Sequence, residues 1–246
     1  MAAREPNSSS GVFTPPANDA GPKYPAIAPA WHTCILIAAM ILLGISQIPG
    51  PRPESPPPAL QFYLGAIAFE ALLFVYVWWG LRLRGGSLAV LITSRRFARW
   101  GRDTALGLAI WVLWYFVESL IAHGLAAGGL TNAGASGTAF PHGPMQASLW
   151  ILLSMITGFS EELAFRGYLL KQFTAWSGNT TVAVVMQAVL FGVGHAYLGM
   201  RQAVLITVSG ALLGILAVRL RNIRPLMVTH AWADIFGGLI VRGLPY

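Results

Sequence analysis

The sequence predicts an all-α, polytopic transmembrane helical bundle of about seven spans. Three observations carry that prediction. Hydrophobic residues make up 55% of the 246-residue chain and charged residues 10%, against roughly 25% charged in an ordinary soluble domain; mean hydropathy is +0.61. The apolar residues fall in blocks of about 20, the length that crosses a bilayer core. Most arginines lie in short stretches between those blocks, where they orient a membrane protein.

Taken in order, residues 1–30 are polar and carry Pro15, Pro16, Pro22, Pro25 and Pro29, so they read as a disordered tail. No cleavable signal sequence is evident, because the first apolar block starts only at Trp31 and is long enough to be a span. Apolar segments follow at 31–48, 62–82, 104–123, 147–172, 181–198, 202–220 and 225–242. The stretch 49–60 is too proline-rich for a helix. The stretch 124–145 is rich in Gly, Ala and Ser and has no Lys or Arg. The predicted organisation is therefore a tail (1–30), three N-terminal transmembrane helices (31–145) and a helical core (146–242). No internal repeat is visible, which argues against a carrier built on inverted repeats.

The net charge of +7 does not point to nucleic acid, since no basic face with stacking aromatics accompanies it. With seven spans, Arg4, Lys23, Arg82, Arg84, Arg95, Arg96, Arg99, Arg102, Lys171, Arg219, Arg221 and Arg224 fall on one side. Arg52, Arg201 and Arg242 fall on the other. The positive-inside rule then gives a cytoplasmic N-terminus in a prokaryotic plasma membrane. The lone cysteine, Cys34, excludes an internal disulfide and reads as a buried small residue. His32 reads as interfacial, and His123 and His142 as solvated.

Five carboxylates lie inside apolar segments: Glu70, Glu118, Glu161, Glu162 and Asp234. Arg166, His195 and His230 lie there too. Each costs at least about 2.5–3.5 kcal/mol at the centre of a lone helix and needs a partner or a wet cavity. In Ser160-Glu161-Glu162-Leu163-Ala164-Phe165-Arg166, Glu162 and Arg166 stand one turn apart and can pair. Glu161 points about 100° away and lacks that partner, which makes it a candidate base. In Phe191-Gly192-Val193-Gly194-His195, Phe191 and His195 share a helix face. His230 and Asp234 also share one. That pair suits an imidazole oriented by a carboxylate, a metal chelate, an anion site or a bond between helices. One Glu, two His and one Asp on three helices can activate water and hold an oxyanion; they also match a His₂-carboxylate zinc set. Glu70 and Glu118, without basic neighbours, read as polar contacts between helices.

These three clusters resemble the CPBP intramembrane proteases, the CAAX protease and bacteriocin-processing (Abi) family. Its pattern of Glu-Glu-x-x-x-Arg, Phe-x-x-x-His and His-x-x-x-Asn/Asp stands here as Glu161-Glu162…Arg166, Phe191…His195 and His230…Asp234. The resemblance implies an endopeptidase acting on membrane-associated peptides or proteins. It implies that Glu161 and His195 activate water, that His230 and its partner four residues on stabilise the oxyanion, and that Glu162, Arg166 and Phe191 support them. Asp234 departs from the Asn that donates an amide N–H; a carboxylate accepts only, unless protonated. The cofactor is either none or Zn²⁺; if zinc is held, its ligands come from Glu161, His195, His230 and Asp234. The rival reading is a non-catalytic immunity or binding protein of the Abi type.

Straight helices drawn to these boundaries leave one conflict. They place His195 near the outer end of its segment and His230 nearer the inner side, about 15 Å apart in depth.

Overall fold

The computed structural model describes residues 25–46, 59–93, 99–130 and 140–241. The first 24 residues of the predicted tail, positions 49–58 of the proline-rich stretch, residues 131–139 of the predicted 124–145 loop, and Arg95, Arg96 and Arg242 lie outside them. Among the described residues every element is helical, apart from one isolated bridge between Thr93 and Asn222. Each predicted apolar segment is a helix: α1 (Ala30–Ser46), α2 (Ala59–Arg82), α4 (Trp100–Ala127), α5 (Pro144–Glu162) continued through a wider turn into α6 (Leu170–Ser177), α7 (Thr180–Gly194), α8 (Met200–Leu220) and α9 (Arg224–Phe236). A short α3 (Leu88–Ile92) lies in the basic stretch after α2.

Local chemistry explains the boundaries. Pro144 and Pro225 start α5 and α9, where a missing N–H costs nothing. Gly178, at φ +66°, ends α6, and Asn179 caps α7 by accepting from Thr181 N at 2.8 Å and Val182 N at 3.2 Å. The two basic stretches meet: Ile223 N donates to Ile92 O at 2.9 Å.

The spans are not equal. Ala59–Arg82, Trp100–Ala127, Pro144–Ser177 and Met200–Leu220 are long and apolar enough to cross a membrane; Ala30–Ser46 and Thr180–Gly194 are apolar but shorter. The 15 residues of α7 reach only about 22 Å, short of a ~30 Å core. The predicted segment 181–198 therefore ran too far. The helix stops before His195, and a short 3₁₀ turn (Ala196–Leu198) leads into α8. The predicted depth conflict is absent, since His195 and His230 both come within 4 Å of Glu161.

Helices pack through small residues, as expected where lipid and side chain are equally apolar. Antiparallel α7 and α8 meet with Gly192 against Ala203 and Thr207, Gly210 against Ala188, and Gly214 against Val184 and Gln187. Gly107 lets α4 approach Pro225 and Val228 of α9, and Gly44 lets α1 approach Val193. The outer faces carry exposed Leu42, Leu72, Leu113, Phe116 and Leu120, the surface a bilayer would cover.

Three expectations are corrected here. Cys34 is exposed, on the same outer surface as Trp31 and Ile35, because α1 turns only one face inward. His32 is fully buried: it bonds Tyr168 Oη through Nδ1 at 3.0 Å and stacks on Tyr76 at 3.9 Å. Gln172 accepts from Ile27 N and Ala28 N and donates to Ala28 O. These bonds tie the start of α1 to the α5–α6 rod. Arg201, assigned to an outside loop, is buried at the start of α8.

At Gly158 an added Cβ would lie 2.8 Å from Ala231 N and 2.9 Å from Met227 O, both backbone atoms that cannot swing aside. Gly158→Val should force α5 from α9 at a cost of about 1–3 kcal/mol. Thermal unfolding in detergent reads the loss. Gly65→Ala, where nothing lies within 4 Å, is the control that should not lower the midpoint, since Ala favours a helix interior over Gly.

Candidate active site

The site is built on the rod of α5 and its continuation. Straight after Glu162 the backbone widens into a π-helical segment, Leu163–Leu169, in which Leu170 N reaches back five residues to Phe165 O. Every residue of that segment is buried. Such widened turns recur at functional sites because they re-aim side chains that a regular helix would stack. Glu162 still meets Arg166: Nη1 donates to Oε1 at 2.7 Å, with both side chains fully buried. The guanidinium also lies over the Phe191 ring, 4.4 Å from its centroid.

Phe191 links the clusters. Its ring packs edge-on against Phe165 (4.7 Å), His195 (4.8 Å) and His230 (6.0 Å). Its carbonyl accepts from His195 Nδ1 at 2.8 Å. A carbonyl only accepts, so Nδ1 carries the proton and a neutral His195 presents a bare Nε2. That nitrogen lies 3.8 Å from Glu161 Oε1, too far for a direct hydrogen bond. A water beside the pair can donate to both.

His230 is held in the same manner from the other side. Nδ1 donates to Glu162 Oε1 at 3.0 Å, so this one oxygen takes both the guanidinium and the imidazole. His230 Nε2 lies 3.5 Å from Glu161 Oε2 and 3.7 Å from Asp234 Oδ2, committed to neither. Among the described residues Glu161 Oε2 is buried without a hydrogen-bond partner. Asp234 is held by its backbone, since its carbonyl accepts from Trp150 Nε1 at 2.8 Å. The structure thus brings Glu161, His195, His230 and Asp234 together, with Glu162, Arg166 and Phe191 around them.

These donors were tested as a cation site. Both histidines have Nδ1 fixed by an oxygen, the pattern that presents Nε2 to a metal. Among the described residues, no group of three or more His, Cys, Asp or Glu side chains is placed to hold one ion.

Two groups near the site were given no site role by the sequence reading. Glu70 is 5% exposed, and among the described residues its Oε2 has no hydrogen-bond partner. It is close enough for its charge to act on Glu161, His230 and Asp234. α2 and α5 run side by side, with Tyr63 on Trp150 and Phe74 on Phe159, and Glu70 falls between those contacts. The available signal was a carboxylate in an apolar helix with no local partner, which the sequence reading took for a contact between helices. Tyr197 stacks beside His195, with centroids 6.2 Å apart. It is within electrostatic range of Glu161 and Asp234, and nothing in its sequence context distinguishes it. Glu118 is half-buried on α4, bonded to Trp114. His123 and His142 are exposed.

Glu162→Gln should unfold the protein readily, because it strands a buried guanidinium at a cost of about 3–5 kcal/mol. Glu162→Gln combined with Arg166→Met should recover most of that stability in a thermal unfolding series. A double variant as unstable as the single one would mean that the pair is not the source of the loss.

Among the families compared, residues 143–236 match the model described as type II CAAX prenyl endopeptidase, Rce1-like. Neither the curated proteins nor the solved structures compared gave a match.

Proposed function

We propose, from the match of residues 143–236 to the type II CAAX prenyl endopeptidase family, that the chain is an intramembrane endopeptidase whose Glu161 and His195 activate water against a membrane-associated peptide. The observation that carries this is the pair itself. A buried carboxylate with an unpartnered oxygen faces a bare imidazole nitrogen across 3.8 Å.

The steps follow from the hydrogen-bond assignments. A water donates one hydrogen to Glu161 and the other to His195 Nε2, which turns its lone pair toward the scissile carbonyl carbon. As the C–O bond forms, the water proton passes to Glu161 and the carbonyl oxygen takes up negative charge. His230, with a proton on each ring nitrogen, keeps Nδ1–H on Glu162 and donates Nε2–H to that oxygen. Collapse breaks the C–N bond, and Glu161 returns the proton to the leaving amine. Asp234, 3.7 Å from His230 Nε2 and too far to bond it, acts through its charge and leaves Nε2–H free for the substrate. As a carboxylate it accepts, and so takes no direct part as an oxyanion donor.

The scheme needs no metal. The substrate arrives from the bilayer, which also covers the outer helix faces. The two basic stretches that meet at Ile92 and Ile223 support a cytoplasmic location for that end of the bundle, in a prokaryotic plasma membrane. Reagents that modify arginine only from the cytoplasmic side should therefore reach Arg82 and Arg84 in oriented vesicles; modification only from the opposite side would reverse the orientation.

Glu161→Gln and His195→Gln should each lower cleavage of a membrane-anchored peptide by at least about 10²–10³-fold, with unchanged thermal midpoints. Exhaustive chelation should leave wild-type cleavage intact. Cleavage unaffected by Glu161→Gln would favour the non-catalytic binding protein. Loss on chelation, restored by Zn²⁺, would replace the metal-free scheme.

A further inference from the structure

We propose that Glu70 and Asp234 form a subsite for a basic side chain of the substrate, so that the protein selects peptides with a lysine or arginine close to the scissile bond. This rests on the endopeptidase reading above and names the substrate class of that site.

Helix packing puts the two carboxylates at one level. Tyr63 of α2 lies on Trp150 of α5, and Phe74 on Phe159, so Glu70 falls between those two levels. On the other flank, Met227 and Ala231 of α9 meet α5 at Gly158, and Asp234 O accepts from Trp150 Nε1. Asp234 therefore falls in the same interval. Glu70 is close enough for its charge to act on Asp234, Glu161 and His230, and Asp234 Oδ2 and Glu161 Oε2 both lie within 4 Å of His230 Nε2.

The second observation is that Glu70 is unmatched. It is 5% exposed, and among the described residues its Oε2 is buried without a hydrogen-bond partner and no basic side chain pairs with it. Ionised together, Glu70, Glu161, Glu162 and Asp234 carry four negative charges, and Arg166 with a doubly protonated His230 returns two. Neutral His195 and Tyr197 return none. Glu118, whose charge reaches Asp234, adds to the excess. The chamber is thus short of positive charge at the level of Glu70 and Asp234.

A membrane-associated peptide has the opposite need. A lysine or arginine drawn into a membrane-spanning bundle is costly unless a counter-charge meets it, and basic residues commonly flank membrane segments. The Asp234 side chain is 35% exposed and so accessible to such a residue, with Glu70 buried behind. The interval shared by Glu70 and Asp234 lies a turn or two before Glu161 on α5, about 5–10 Å along the axis. An extended peptide covers about 3.3 Å per residue, so a basic residue within about three positions of the scissile bond reaches both carboxylates. An acidic residue there is repelled, which sharpens the choice.

The test uses the full chain in proteoliposomes and one membrane-anchored, N-terminally acetylated peptide. A single Lys is moved through the positions around the cleaved bond, with Gln and Glu at the same positions as comparisons. At its best position the Lys form should exceed the Gln form by at least tenfold in kcat/KM for wild type, and the Glu form should be the poorest. Glu70→Gln, nearly identical in shape, should bring the Lys-to-Gln ratio near one, and Glu70→Asp should keep part of it. A purely structural Glu70 would lower all three peptides alike and leave the ratio unmoved, which would overturn its role. Binding of the Lys and Gln forms to Glu161→Gln should show the same preference, so the subsite is tested even if no peptide is cut. Equal binding and equal cleavage of the three forms at every position by wild type, a comparison that needs no variant, would overturn the subsite and leave the endopeptidase reading standing; protons would then balance the carboxylates. Preferential binding of the Lys form without cleavage by wild type would do the reverse.

Discussion

A carboxylate and a guanidinium removed from water each cost several kcal/mol, which their mutual attraction offsets only where the geometry is tight and the remaining polar atoms are held. Glu162 and Arg166 meet that requirement at 2.7 Å with both side chains fully buried. The pair does more than satisfy itself. The same Glu162 oxygen takes His230 Nδ1, and Arg166 lies on the Phe191 ring, whose backbone carbonyl fixes His195. One ion pair on the α5 rod therefore sets the orientation of both imidazoles on two other helices. Glu161, the next residue, is left unpaired by the same arrangement. A helix that placed Glu161 on Arg166 would lose both the base and the support of its histidines.

The widened turn after Glu162 bears on this. A buried helix of regular pitch would present Glu161 and Glu162 about 100° apart and return Arg166 to the Glu162 face. The π-helical segment keeps that pairing while enlarging the turn. The bonds from Tyr168 and Gln172 to α1 hold the far end of the segment. The N-terminal helices are thus joined to the core by polar contacts, and α2 adds Glu70 to the chamber. Their contribution is to close and charge the site, which a four-helix core alone would leave open on that side.

Much of this was legible in the sequence, for a physical reason. Charge inside an apolar block is so costly that Glu161, Glu162, Arg166, His195, His230 and Asp234 stood out singly, and helical spacing sorted them into pairs. The fold class followed from block length. What spacing does not encode is depth. Nothing in 181–198 marks where α7 ends, because Gly194 and His195 are compatible with either a continued helix or a break. The error placed His195 about 15 Å from its partner in depth. Glu70 was missed for a related reason: its neighbours lie on α5 and α9, and a contact across helices leaves no periodic trace.

Arg201 shows the same limit from the other direction. A basic residue just past the end of an apolar block is ordinarily a topological marker, exposed to water. Here Met200 is 66% exposed and Arg201, the next residue, 4%, so the start of α8 stands at the surface of the bundle while the arginine is turned inward. A residue just past an apolar block is thus placed by which way its helix face turns, which the length of the block does not record.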